Sequence, residues 1–152
     1  MHRISRADLA DPRLIQFLHD HLRDLLPTAP PESRHALDLS GLCAPGVRVW
    51  AAADEESVLG TVALASLDSG HEELKSMRTD PARRGEGIAS ALLEHALADA
   101  RERAVTRVSL ETGSMEFFAP ARGLYRKTGF QLCQPFGSYR EDPNSVFMTL
   151  AL

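Results

Sequence analysis

The segment Thr79-Asp80-Pro81-Ala82-Arg83-Arg84-Gly85-Glu86-Gly87-Ile88-Ala89 limits what this chain can fold into more than any other. It follows an apolar-alternating run, Leu74 to Met77, and opens the longest amphipathic pattern in the sequence, Ile88 to Ala100, so it marks a strand-turn-helix junction. A helix start leaves its first amides without partners, and the aligned peptide dipoles place roughly half a positive charge there. Backbone alone can therefore hold an anion at this turn. Gly85 and Gly87 remove the Cβ atoms that would block the approach, and Arg83 and Arg84 are expected to add fixed positive charge beside it. The turn has neither the Gly-x-x-x-x-Gly-Lys of a P-loop nor the Gly-x-Gly-x-x-Gly of a dinucleotide site. A glycine-rich turn that merely joins strand to helix is the plain alternative.

The rest of the chain supplies elements of both kinds. Residues 2 to 6 are expected as a short strand. Asp11-Pro12 supplies an N-cap and a first-turn proline for a helix in which Leu14, Ile15, Leu18, Leu22, Leu25 and Leu26 recur at helical spacing before Pro27. A second short helix is expected over Glu32 to Leu39, reaching Gly41. Val47 to Ala53 and Val58 to Leu67 form a hairpin around Asp54-Glu55-Glu56-Ser57, and Glu73 to Thr79 follows as a third strand. The helix from Ile88 carries one apolar stripe, Ile88, Ala89, Leu92, Leu93, Ala96, Leu97 and Ala100, which must pack on a sheet. Val105 to Thr112 is a strand, and Ala121 to Lys127 a last helix stopped by Gly129. Phe130 to Cys133 and Val146 to Leu150 close the chain as an antiparallel hairpin. This order describes an α/β layer fold on a mixed sheet, in one domain over residues 1-152.

A formal charge of -4 argues against nonspecific nucleic-acid binding, so the arginines at the turn are a local feature suited to an anionic cofactor. Cys43 and Cys133 are isolated, with neither disulfide nor metal spacing, and no metal is expected. His19 and His21 face different sides of their helix and are expected to be solvated. No run is long enough to span a bilayer and the N-terminus carries no apolar leader, so a cytoplasmic protein without membrane contact is expected.

Two landmarks carry a resemblance. Arg84-Gly85-Glu86-Gly87-Ile88-Ala89 is similar to the Arg-x-x-Gly-x-Gly/Ala pyrophosphate turn of the GNAT superfamily of N-acetyltransferases, and Ala121-Arg122-Gly123-Leu124-Tyr125-Arg126-Lys127-Thr128-Gly129-Phe130 resembles its Ala-x-x-Leu-Tyr-x-x-x-Gly-Phe segment. They stand in the superfamily's order and cover Glu73 to Leu150. The resemblance implies the GNAT fold: a mixed, mostly antiparallel central sheet flanked by helices, with acyl-CoA bound at the strand-turn-helix junction. Stretches such as Leu110 to Met115 and Glu141 to Met148 resemble an uncharacterised bacterial subgroup.

The resemblance also assigns roles. Backbone at Met77 and Thr79 would pair with the pantetheine arm of acetyl-CoA, an amide at Met77 or Arg78 would polarise the thioester carbonyl, and Arg84, Gly85, Glu86, Gly87, Ile88 and Ala89 would form the pyrophosphate turn. Tyr125 is the candidate general acid, with a packed core tyrosine as the alternative. Glu73 is the candidate base, although Lys75 on the same strand face could reduce it to a structural ion pair. Glu111 is its rival and Glu72 stands third. An asparagine common in the superfamily seven residues before the tyrosine is Phe118 here, which makes Thr112 and Ser114 the substitutes for its contact. Glu32, Ser33, His35 and Tyr139 are candidate acceptor-binding groups, with solvated loops as the alternative.

The function expected is transfer of an acetyl group to the primary amine of a small molecule or amino acid by direct attack. A peptide or protein N-acetyltransferase, and an acyl-CoA-binding regulator without turnover, are the rivals. Superfamily members are frequently dimers.

Overall fold

The computed structural model describes residues 2-33 and 35-152. Seven strands form a single sheet in the order β1-β2-β3-β4-β5-β7-β6, where β1 is Arg3–Arg6, β2 Val47–Ala53, β3 Val58–Asp68, β4 His71–Thr79, β5 Arg107–Gly113, β6 Gln131–Leu132 and β7 Ser145–Ala151. Every neighbouring pair is antiparallel except β4 and β5. A parallel pair needs a crossover. Helix α3, Ile88–Glu102, provides it, while α1, Pro12–Leu25, and the single-turn α2, Leu39–Leu42, precede the sheet and α4, Ala119–Thr128, follows β5. This is the mixed, mostly antiparallel α/β sheet that the sequence implies.

The two faces of the sheet carry separate cores. On one, Leu92, Leu93, Ala96 and Leu97 of α3 pack with Leu74, Val108, Leu110 and Met148 of the strands. Gly60 makes close packing possible there, because a Cβ at that position would lie 2.8 Å from the Arg78 carbonyl oxygen and 2.8 Å from Leu92. On the other face, Leu14, Phe17 and Leu18 of α1 pack with Leu42, Val49 and Ala63. Asp11 caps α1 by accepting from the Arg13 amide at 2.9 Å, and Pro12 occupies its first turn.

Two expected elements differ. The helix expected over Glu32–Leu39 is not found among the described residues: a 3₁₀ turn covers Pro31–Ser33, residues 35-38 are neither helix nor strand, and Arg34 lies outside the described residues. Asp38 instead caps α2 by accepting from the Gly41 amide at 2.8 Å, and this local bond wins over a marginal helix propensity. The strand expected at Phe130 to Cys133 is only Gln131–Leu132, although Cys133 still donates its amide to the Phe147 carbonyl at 3.0 Å.

Candidate active site

Parallel pairing of β4 with β5 runs from His71 opposite Arg107 to Leu74 opposite Leu110 and then ends. Beyond it β4 pairs only with β3, and β5 only with β7, so the sheet splits. A bulge lies at this point of β4, where Lys75 and Arg78 stand opposite Ala63 and Thr61, leaving one extra residue in β4. Ser76 takes a φ of 53°, a left-handed conformation that costs a non-glycine residue roughly 1-2 kcal/mol. Thr61 is fully buried in β3 and donates its hydroxyl to the Ser76 carbonyl at 2.8 Å, which holds the strained residue in place.

The extra residue reverses side-chain alternation. Met77 joins Leu74 in the α3-side core, while Arg78 turns to the opposite face and donates to Asp24 of α1 at 2.9 Å. Glu73, Lys75, Met77 and Thr79 therefore do not share one face as strict alternation predicts.

A cavity of about 380 Å³ occupies the split. Its walls come from the end of α1 and the chain after it, including His21, Leu22, Leu25, Ser33 and His35, and from Leu74 to Met77 of β4. Glu111, Thr112 and Gly113 of β5, Met115, Phe118, Ala121 and Tyr125 around the start of α4, and Asn144 complete it. Phe118 reaches the cavity because Gly113 leaves room: a Cβ there would lie 2.2 Å from the Phe118 ring.

Tyr125 is 5% exposed, lies 5.8 Å from the Phe130 ring between centroids and also lines the cavity, so packing and access to the site coexist. Burial, with the Glu111 charge adding to it, pushes its pKa far up and keeps the phenol protonated at neutral pH. Glu111 lines the same cavity and accepts from the Ser145 hydroxyl at 2.6 Å. Burial raises the pKa of its carboxyl, opposed in part by the Ser145 hydrogen bond and by His35 and Lys75.

Glu73 is placed differently. It is 7% exposed, accepts from the Tyr139 hydroxyl and from Lys75 Nζ at 3.3 Å, and is not among the cavity-lining residues, whereas Lys75 is. Lys75 also donates to Tyr139 Oη at 3.0 Å, closing a three-membered polar group. Tyr139 is thereby a strut rather than a cavity group, its ring seated among Phe136, Phe147 and His35 at centroid distances of 5.1, 5.5 and 4.9 Å. Glu72 faces the other way and takes a bidentate bond from Arg103 at 2.8 Å to each oxygen.

Among the other candidates, Ser33 and His35 line the cavity, and Ser33 donates its hydroxyl to Asp142. Glu32 is exposed and outside the cavity. Thr112 is buried against the cavity, but Ser114 is exposed and donates to the Pro143 carbonyl at 2.7 Å, tying two loops together. His21 is not solvated as expected: it lines the cavity 3.5 Å from Arg78, and burial together with that guanidinium lowers its pKa to about 4.

The turn begins at Asp80, just beyond Met77, Arg78 and Thr79. Gly85 and Gly87 have φ of 82° and 81°, a conformation that favours glycine, and a Cβ at either would meet no atom within 4 Å. No side chain caps α3, and its first turn closes with the Ala91 amide on the Gly87 carbonyl at 3.0 Å, so the amides of Ile88, Ala89 and Ser90 point out of the helix start. Thr79 Oγ1 is buried with no hydrogen-bond partner among the described residues. Arg83 does not supply free charge here, because its guanidinium is held by Glu86 at 2.9 Å and lies 3.5 Å from Asp54. Arg84 is exposed and makes no ion pair among the described residues.

The model of the family described as Acetyltransferase (GNAT) family matches residues 14–130. The chain belongs to this family. Similar GNAT relatives are the uncharacterized N-acetyltransferase YsnE of Bacillus subtilis, 45% identical over 98% of this chain and 99% of its own length, and YedL of Escherichia coli, also an uncharacterized N-acetyltransferase, 43% identical over 100% and 96%. An IAA acetyltransferase of Azospirillum brasilense is 39% identical over 90% of this chain and 86% of its own. Among solved structures, a GNAT-family acetyltransferase of Staphylococcus aureus superposes with a TM-score of 0.78 at 19% identity, covering 99% of both chains. An aminoglycoside 6'-N-acetyltransferase complexed with coenzyme A superposes at 0.75 with 16% identity, covering 98% of this chain and 96% of its own, which bears on the fold.

Sequence reasoning missed Ser76, Thr61, His21 and Asn144 as parts of the site. Thr61 left a faint signal, a hydroxyl inside the apolar run Val58 to Leu67. The bulge left none, since its extra residue is defined by register against β3.

Proposed function

We propose that this GNAT protein is an acetyl-CoA-dependent N-acetyltransferase that acetylates the primary amine of a small molecule by direct attack. The observation that carries the reading is the continuity of the site along β4. The uncapped start of α3 is joined by Thr79, Arg78 and Met77 to a cavity that holds an ionisable carboxylate, Glu111, and a protonated phenol, Tyr125.

The residues fit the coenzyme. Arg84, Gly85, Glu86, Gly87, Ile88 and Ala89 offer backbone and one exposed guanidinium to its diphosphate. After Leu74, β4 has no partner strand on its β5 side, so Met77 and Thr79 can pair with the pantetheine arm as a strand would, with an amide at Met77 or Arg78 directed at the thioester carbonyl. Holding the two reactants in this way supplies up to roughly 7-11 kcal/mol of the barrier.

Glu111 is assigned as the base in preference to Glu73, because Glu73 is committed to Lys75 and Tyr139 behind the cavity wall. Glu111 takes a proton from the bound ammonium, directly or through water, and the neutral amine nitrogen bonds to the acetyl carbon. As the carbon-sulfur bond breaks, Tyr125 donates its proton to the departing sulfur and recovers one from the same nitrogen. The products are the amide, the free thiol and one proton released from Glu111.

The test is mass-spectrometric detection of acetylated product from acetyl-CoA with a panel of amines, with coenzyme binding measured separately by calorimetry. Product that depends on both reactants supports the reading. Absence of coenzyme binding refutes it.

A further inference from the structure

The class of amine follows from how the cavity walls are charged, and this inference rests on the transferase reading above. The apolar stripe of α1 serves two ends. Leu14, Phe17 and Leu18 are buried in the core on that face, but the stripe continues at helical spacing to Leu22, Leu25 and Leu26, which belong to neither core cluster and line the cavity instead. Met115 and Phe118 also contribute apolar lining.

The cations around the cavity are already engaged, Arg122 by the carbonyl oxygens of the lining residues Gly113 and Met115 at 2.7 and 2.9 Å. Lys75 is engaged by Glu73 and Tyr139, and Arg78 by Asp24. His21 is kept neutral by burial and by Arg78, with a pKa of about 4. His35 stands edge-on to the Tyr139 ring. Glu111 is the carboxylate among the described cavity-lining residues: its hydrogen bond is to a hydroxyl, Ser145, and it makes no ion pair among the described residues. A half-buried carboxylate facing an apolar wall favours one positive charge and opposes a second negative one.

We infer that the acceptor is a small monocationic amine on an apolar body without a carboxylate, its ammonium seated on Glu111 and its body on Leu22, Leu25 and Leu26. Size agrees with this. A single aromatic ring needs a space of about 150 Å³. That is less than half of the cavity's 380 Å³, and the remainder accommodates the thioester end of the donor.

The experiment compares kcat/KM for phenethylamine, phenylalanine, putrescine and glucosamine with saturating acetyl-CoA, alongside calorimetry of acetyl-CoA binding. Phenylalanine keeps the ring and adds a carboxylate, putrescine adds a second cation, and glucosamine replaces the apolar body with hydroxyls. Phenethylamine is expected to exceed each by about tenfold or more. Leu25→Asp is expected to lower kcat/KM for phenethylamine about tenfold and raise it for putrescine, while Leu25→Met leaves the order unchanged. A preference for any of the other three amines, or transfer to none of them by a protein that binds acetyl-CoA, overturns the acceptor class. An unchanged order in folded Leu25→Asp does so too. Failure to bind acetyl-CoA instead removes the transferase reading beneath it.

Discussion

Replacing Gly87 separates the coenzyme turn from the stability of the fold. Gly87 sits at the N-cap of α3 with a φ of 81°, and a Cβ built there meets nothing within 4 Å. Gly87→Ala therefore introduces no clash, and its structural cost is the left-handed backbone, roughly 1-2 kcal/mol. For a chain of this size that lowers Tm by about 2-8 °C, and the protein remains folded at 25 °C. On the proposed reading acetyl-CoA binding should suffer separately, because the methyl group would stand in the path of a diphosphate approaching the helix start. Losing one charge-assisted hydrogen bond costs about 1.5-3 kcal/mol, roughly 10- to 150-fold in Kd. Gly87→Glu adds a like charge and should abolish binding. Calorimetry with acetyl-CoA and thermal unfolding without it read the two effects independently. Gly123→Ala is the control: Gly123 lies inside α4 with equal room for a Cβ, and the change should raise stability by about 0.5-1 kcal/mol without moving Kd. An unchanged Kd in both Gly87 variants would show that the diphosphate is not held here.

Other outcomes follow from the same geometry. Tyr125→Phe should lower kcat by about 10²- to 10⁴-fold with little change in acetyl-CoA affinity, and wild-type turnover would leave Tyr125 with packing alone. Glu111 must be unprotonated to accept a proton, so kcat/KM should fall as pH drops through its raised pKa, above the ordinary carboxylate range. Glu111→Gln should remove that acidic limb, and its removal by Glu73→Gln alone would move the base to Glu73. Gly60→Ala drives a Cβ against the backbone oxygen of Arg78 and should cost about 1-3 kcal/mol by denaturant unfolding. A midpoint equal to that of the wild type would show that α3 and β3 pack less closely than the structure has them.

The corrections to the sequence reading share a cause. Arg83 reads as a free cation until Glu86 and Asp54 are seen to hold it. Glu73 and Glu111 are equivalent half-polar strand positions on paper. They separate because Tyr139, distant in sequence, closes over one, while the split between β4 and β5 exposes the other to a cavity. Ser33 and Asp142 meet in the same way across the chain.

Sequence alone determined the parts whose physics is local. The 3.6-residue stripe of α3, the proline and aspartate that start α1, the left-handed Gly129 that stops α4 and the place of Tyr125 on that helix depend on near neighbours, and each stands where the pattern puts it. Tertiary structure decided which face β4 shows after Ser76, which carboxylate meets the cavity and which cations are already paired. Those depend on strand register and on contacts between distant segments, where one extra residue reverses every side chain that follows.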